Sequence, residues 1–173
     1  MRLTTARLVI DPLVEADAAP FAAIAGDARV APMLGSFRVG FTPEEALERI
    51  RRNTRGAAPG FRLALREGGA LAGTVGMAPP DEAGACSVMY FLAPARRGRG
   101  LAREAMAAFV PAILARFDPA ALTATAFEDN PASQRVLAGA GFQETCRGPS
   151  QSAGRVGAVP AIFYRLPHRE AQP

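Results

Sequence analysis

The stretch Arg96-Arg97-Gly98-Arg99-Gly100-Leu101-Ala102 decides the architecture of this chain. Before it, Ser87-Val88-Met89-Tyr90-Phe91-Leu92 is a strand-like run that stops at Ala93-Pro94. After it, Leu101, Ala105, Phe109 and Ile113 recur at every fourth residue, which marks one face of a helix from about Gly100 to Arg116. The stretch is therefore a tight turn from strand into helix. A helix start leaves backbone N–H groups unpartnered and carries partial positive charge, so it suits a phosphate. Gly98 and Gly100 put no side chain in the way of an approaching anion. Several amides, each worth roughly 1.5–3 kcal/mol to a charged oxygen, can anchor a diphosphate. The chain contains no lysine, which excludes the P-loop pattern, and the glycine spacing is not the dinucleotide fingerprint.

Working outward, Leu8-Val9-Ile10 closes at Asp11-Pro12 as a first strand, and a helix is expected from about Asp17 to Ala25 with Pro20 in its first turn. Thr42-Pro43-Glu44-Glu45 is a capping box opening a second helix whose stripe includes Leu47 and Ile50. Phe61 to Leu65 and Leu71 to Met77 form a hairpin about Glu67-Gly68-Gly69, with Pro79-Pro80 ending its second strand. With Ser87 to Leu92 they make an antiparallel meander. Pro111 falls inside the long helix and should kink it. Leu122 to Phe127 follows as a strand, and Asn130-Pro131 opens a helix that ends at Gly141. Phe142 to Arg147 and Ala161 to Leu166 are the last two strands. The whole predicts an α/β (α+β) fold in one domain spanning residues 1–173, with a mixed sheet.

Composition narrows the function. At 173 residues the chain can bury a core without disulfides or structural metal. Cys86 and Cys146 lack a zinc-ligand rhythm and are expected as small buried hydrophobes, while His168 is the only histidine. No metal site and no histidine-based nucleophilic triad is expected. Without a membrane-spanning run or a leader-like start, a cytoplasmic protein is expected. The net charge is +4, and all its basic side chains apart from His168 are arginine. The turn has no aromatics among its arginines, so a nucleic-acid partner is not expected.

Arg97-Gly98-Arg99-Gly100-Leu101-Ala102, followed by Arg103-Glu104-Ala105, resembles the Arg-x-x-Gly-x-Ala cofactor signature of the GNAT N-acetyltransferase superfamily, in the form found in its ribosomal-protein N-acetyltransferase branch. Leu3 to Ile10 is similar to the opening of that branch. Tyr90-Phe91-Leu92-Ala93-Pro94 is similar to its strand before the turn. Asn130-Pro131-Ala132-Ser133-Gln134-Arg135-Val136-Leu137, then Gly141-Phe142, resembles its helix element. The resemblance covers nearly the whole chain. It implies a mostly antiparallel sheet of about seven strands, splayed between the fourth and fifth, with helices on both faces and acetyl-CoA in the gap. It implies that amides of Arg97, Gly98, Arg99, Gly100, Leu101 and Ala102 hold the pyrophosphate. Backbone groups of Phe91 and Leu92 would pair with the pantetheine, and Asn130 and Ser133 would face the cofactor.

The implied reaction is direct attack of an amine on the thioester. A backbone amide near Phe91 or Leu92 would serve the oxyanion, and a hydroxyl would protonate the leaving thiolate. Leu137 stands where many superfamily members carry a tyrosine, which leaves Ser133 as the candidate acid. Candidate bases are Glu128, Asp129, Asp81 and Glu82, or a water relay. Glu104 is expected to complement the helix dipole and not to catalyse. Asn130 and Ser133 also suit a capped first turn, and Asp11 departs from the arginine usual in the branch. The acceptor, a small-molecule amine or a protein N-terminus, would be set by residues 28–41, with Met33, Leu34, Phe37 and Phe41, and by residues 148–160. A monomer or homodimer is expected. A CoA-binding module with little or no catalysis is the alternative.

Overall fold

The computed structural model describes residues 1–53 and 55–167, so His168 lies outside the described residues. The strands are β1 (Leu3–Thr4), β2 (Val9–Pro12), β3 (Phe61–Glu67), β4 (Ala70–Pro80), β5 (Ala85–Leu92), β6 (Ala121–Phe127), β7 (Gln143–Ser150) and β8 (Val159–Pro167). They form one sheet in the order β1-β2-β3-β4-β5-β6-β8-β7. Eight strands replace the expected seven. The added one is β1, whose two residues pair Leu3 with Ile10 and Thr4 with Val9, too short a run to show alternation. The helices are α1 (Ala18–Ala25), α2 (Pro43–Arg52), α3 (Leu101–Phe117) and α4 (Pro131–Gly139).

Local chemistry accounts for most boundaries. The β3–β4 hairpin turns on Gly68 and Gly69, both with positive φ, 59° and 82°, the conformation that a two-residue turn between twisted strands needs. Thr42 caps α2: its hydroxyl accepts from Glu45 N–H at 3.3 Å, and Glu45 accepts from Thr42 N–H at 2.8 Å. β4 carries on through Pro79-Pro80, beyond the expected stop, because its ladder with β5 shifts between Met77 and Pro80 and demands no proline N–H there. α3 runs as one helix through Pro111, which faces solvent, so water can reach the carbonyl that the proline leaves unbonded.

The sheet carries helices on both faces. Phe61, Leu63 and Leu65 of β3 pack with Leu101, Met106, Phe109 and Ile113 of α3. On the other face Ala64 and Phe91 pack with Phe21 and Ile24 of α1, Ile50 of α2, and Phe37 and Phe41 between them. Most ring pairs there meet edge to face, with Phe37 and Phe41 centroids 5.0 Å apart, while Phe21 and Phe91 stack at 6.1 Å. Cys86 is buried as expected, whereas Cys146 is exposed, on a strand at the sheet edge.

One pairing is unlike the rest. β5 and β6 run parallel, joined through α3, and pair only at Ala85–Ala121, Cys86–Leu122 and Ser87–Thr123. Beyond Ser87 each strand keeps only its outer neighbour: β5 stays on β4 up to Leu92–Gly73, and β6 stays on β8 up to Phe127–Ala161. The sheet therefore splits, between the strands expected to part. The added β1 only shifts their numbers.

Candidate active site

A cleft of about 640 Å³ opens where β5 and β6 part. One wall is β5 from Ser87 to Leu92, whose edge toward β6 has no strand partner beyond Ser87. The other wall combines Ala124 to Ala126 of β6 with Asn130, Ser133, Arg135 and Val136 at the start of α4. The turn into α3 closes one end, and Val30 to Phe37 with Arg62 close the other side.

At the turn, Gly100 is the residue before α3, with φ 77°, and no side chain caps the helix. The first-turn N–H groups thus face the cleft without a capping oxygen. Gly98 has φ 73°, and a Cβ there would meet nothing within 4 Å, so it borders open space. Arg97, Gly98, Gly100, Leu101 and Ala102 line the cleft, as do Phe91, Leu92, Asn130 and Ser133. Arg99 does not. Its guanidinium is held by Glu67 at 2.9 and 2.7 Å, and its carbonyl accepts from Arg7 at 2.7 Å. Arg96 bonds the same carboxylate at 2.5 Å, so Glu67 is shared by two of the three arginines of the turn. Burial pulls the Arg97 guanidinium below its ordinary pKa, and it donates to the Arg29 carbonyl at 3.2 Å.

Side chains alternate along β5. Val88 and Leu92 lie in the core facing α3, with Tyr90 packed against it, while Phe91 lies in the core under α1 and α2. That parity brings the Tyr90 hydroxyl to the start of α4, 2.8 Å from Ser133 Oγ and 3.2 Å from the Ser133 carbonyl. Burial pushes the Tyr90 pKa up to about 12, so the phenol keeps its proton at neutral pH. Asn130 Oδ1 accepts from Ser133 N–H at 3.1 Å, the capping role its sequence position allows. The sequence places Tyr90 in the strand before the turn but assigns its hydroxyl no site role. Its β-strand parity is visible in sequence; its partner, 43 residues away, is not.

None of the candidate carboxylate bases lines the cleft. Asp129 is clamped by Arg155 at 2.7 and 3.0 Å, which lowers its pKa. Glu128 lies 3.5 Å from Arg147. Asp81 accepts from Ala83 N–H at 3.0 Å and Ala85 N–H at 2.8 Å, and Glu82 is exposed beside it in that turn. Glu104 accepts from Thr5 at 2.5 Å and from Arg7 N–H at 2.8 Å, which fastens the chain start to α3 and draws its pKa down. The described lining holds no carboxylate, but it does hold Arg62, Arg97, Arg103 and Arg135. Asp11 binds Arg66 at 2.8 Å, and Arg66 also binds Asp17 at 2.8 and 2.7 Å, so its departure from arginine serves an ion-pair cluster. Among the described residues no group of three or more His, Cys, Asp or Glu could hold a metal, and no helix is long and apolar enough to cross a membrane.

An uncapped, glycine-flanked helix start followed by an unpaired strand edge fits a diphosphate joined to an extended amide chain, which is the chemistry of coenzyme A. The family model for the acetyltransferase (GNAT) domain matches residues 7–143. The chain belongs to the GNAT acetyltransferases, and it is an acyl-CoA-dependent acetyltransferase. A search of curated proteins gives no match. Among solved structures, it is similar to a GNAT-family acetyltransferase from Bacillus anthracis, with TM-score 0.82 and 18% identity, covering 98% of this chain and 100% of that one. The ribosomal-protein-S5-alanine acetyltransferase of Vibrio fischeri gives TM-score 0.81 at 18% identity and full coverage of both chains. The yncA protein of Salmonella typhimurium, assigned as an acetyltransferase and solved with its cofactor acetyl-CoA, gives 0.76 at 20% identity, covering 96% and 98%.

Proposed function

We propose that this single-domain protein transfers the acetyl group of acetyl-CoA directly to a primary amine, on a protein N-terminus or a small molecule, in the cytoplasm. The observation that carries the reading is the split after Ser87, with an uncapped helix start at one end and the Tyr90–Ser133 hydroxyl pair on its wall. The first-turn amides around Gly98, Gly100, Leu101 and Ala102, with Arg97 beside them, hold the diphosphate. The free edge of β5 at Leu92 bonds the pantetheine amides as a further strand would. Acetyl-CoA supplies the thioester acyl group. Transfer forms an N–C bond and breaks the C–S bond, so the amine loses one proton and the thiolate gains one.

The backbone N–H near Leu92 is aimed into the cleft to meet the carbonyl oxygen as it gains charge. Ser133 stands at the α4 side with Tyr90 behind it, and the hydroxyl pair holds the proton that the thiolate takes. With every nearby carboxylate ion-paired, exposed or bound in a turn, the amine proton leaves through water. Residues 30–37 and 148–160 flank the acceptor entrance. Ser152 donates to the Leu34 carbonyl at 2.7 Å, and Arg155 donates to the Pro32 carbonyl at 2.6 Å, so the two segments act as one wall. Met33, Leu34 and Phe37 line the cleft, whereas Phe41 is a core contact.

The carboxylate-free lining favours one second reading, a CoA-binding module without turnover. A single assay separates them: thiol release from acetyl-CoA over a panel of N-terminal peptides and small amines. Amine-dependent thiol release with formation of the N-acetyl product supports transfer. Tight acetyl-CoA binding with no acceptor-dependent release leaves only the binding module.

A further inference from the structure

A second cavity of about 410 Å³ adjoins the cleft, and the two share Ser36, Arg62 and Met89 in their walls. Arg62 is half-buried there and has no carboxylate partner among the described residues. Its Nη1 donates to Thr74 Oγ1 at 2.8 Å and its Nη2 to Met89 Sδ at 2.7 Å, and most of its five N–H donors find no partner among the described residues. The guanidinium carbon lies 5.4 Å from the ring centres of both Phe37 and Phe91. Its backbone is pinned by the Asn53 side chain, which accepts from Arg62 N–H at 3.0 Å and donates to its carbonyl. Arg49 sits at the rim, its guanidinium carbon 4.5 Å from the centre of the same Phe37 ring, and donates to the Ser36 carbonyl at 2.9 Å. Glu45, the carboxylate nearest in effect to Arg49, is held by Arg38 at 2.9 and 3.0 Å.

Two cations thus share one aromatic ring, and among the described residues neither forms an ion pair with a carboxylate. Two other inward arginines are paired with carboxylates: Arg66 with Asp11 and Asp17, and Arg155 with Asp129. Burial and the charge of Arg49 push Arg62 down to about 9, a cost that an arriving anion would reverse. The position is not that of the diphosphate. Arg62, Gly76 and Met89 lie in one row across β3, β4 and β5, and Met89 is three residues before Leu92, roughly 10 Å along the strand from the turn.

Resting on the acetyl-transfer reading above, we infer that the amine acceptor also carries a carboxylate, seated on Arg62 with Arg49 drawing it in from the rim. Guanidinium takes carboxylate through paired, charge-assisted hydrogen bonds, and the aromatic walls leave little water to compete. The carboxylate could belong to a free α-amino acid or to an acidic side chain next to a peptide N-terminus.

The test is calorimetric binding to the CoA-saturated protein, which needs no turnover. The probes are alanine against alaninamide, and alanyl-glutamate against alanyl-glutamine, both dipeptides as C-terminal amides. One carboxylate probe should bind about 10- to 100-fold tighter than its neutral twin. The pair that shows the gap names the source. In Arg62→Met the gap should fall to within about twofold, and in Arg49→Met it should narrow in part. Equal affinities within both pairs would overturn the inference, as would a full gap in a folded Arg62→Met protein. If that variant does not fold, an unchanged gap in Arg49→Met overturns it. Thiol release judges the underlying reading separately: turnover on neutral and anionic amines alike removes this inference alone, and carboxylate binding without turnover on any amine removes acetyl transfer alone.

Discussion

The Tyr90 hydroxyl lies 2.8 Å from Ser133 Oγ, joining the freed edge strand to the first turn of α4 across the cleft. Leu137 occupies the position at which the resemblance places a tyrosine, and it is fully buried. A tyrosine therefore reaches the same cleft from β5. Tyr90→Phe should lower kcat by about 10²-fold, the scale of a lost proton donor, with little change in acetyl-CoA affinity. Ser133→Ala should do the same, and the double variant should be no worse than either single one if the two act as a unit. Steady-state kinetics checks this, and additive losses would separate their roles. Because Tyr90 titrates only near pH 12, its loss should not remove an alkaline limb from the rate profile between pH 7 and 10.

Gly98→Glu should weaken acetyl-CoA binding by at least about 100-fold, because it puts a carboxylate beside the amides that would face phosphate. With φ at 73°, any side chain at Gly98 also costs about 1–2 kcal/mol of backbone strain. Gly98→Ala carries that strain without the charge, and its Cβ has open space around it. It should lose far less affinity. Equal losses by calorimetry would trace the effect to the backbone and not to an anion site.

Gly73 lets β4 lie close under the wall of the cleft. A Cβ there would come within 2.1 Å of the Phe91 carbonyl and 2.9 Å of Leu92 Cα. Gly73→Ala must shift the end of β5, at a cost of about 1–3 kcal/mol. Acetyl-CoA affinity should fall with it, since the displaced residues form the edge proposed to bond the pantetheine. Thermal unfolding and calorimetry on the same variant test both halves.

Asp17 ties the start of α1 to Arg66 while 6% exposed. Burial raises its pKa, but the Arg66 hydrogen bonds and the Val14 N–H outweigh that and hold it below the ordinary 3.8. A depressed carboxylate stabilises the fold above its unfolded pKa, and this is lost as pH falls through the folded value. Asp17→Asn should therefore cost about 2 kcal/mol at pH 7. Its difference from wild type should shrink steadily below pH 3.8. Denaturant melts at neutral and acid pH measure the two arms.

What could be read along the chain was whatever physics acts over a few residues. The four-residue spacing of Leu101, Ala105, Phe109 and Ile113 places their side chains on one helix face, and all four are buried. Gly68-Gly69 sets a two-residue turn, Thr42 and Glu45 cap each other, and Gly98 and Gly100 allow the turn into α3. The strand-to-helix turn and the split sheet were thus legible from the sequence and its resemblance. The two-residue β1 was not, because its pairing depends on Ile10 and Val9 and not on its own pattern.

Tertiary structure alone decided which charges and hydroxyls meet. Arg99 and Glu67 are 32 residues apart, and their pairing holds the Arg99 guanidinium away from the cleft. Arg155 and Asp129, 26 residues apart, take away a candidate base in the same way. Tyr90 and Ser133, and Arg62 between Phe37 and Phe91, are brought together by strand register and helix packing. A turn's shape follows from a few neighbouring dihedrals, so the Arg96 to Ala102 segment announces itself in sequence. The partner of a side chain follows from how whole elements dock, and only the folded chain contains that information.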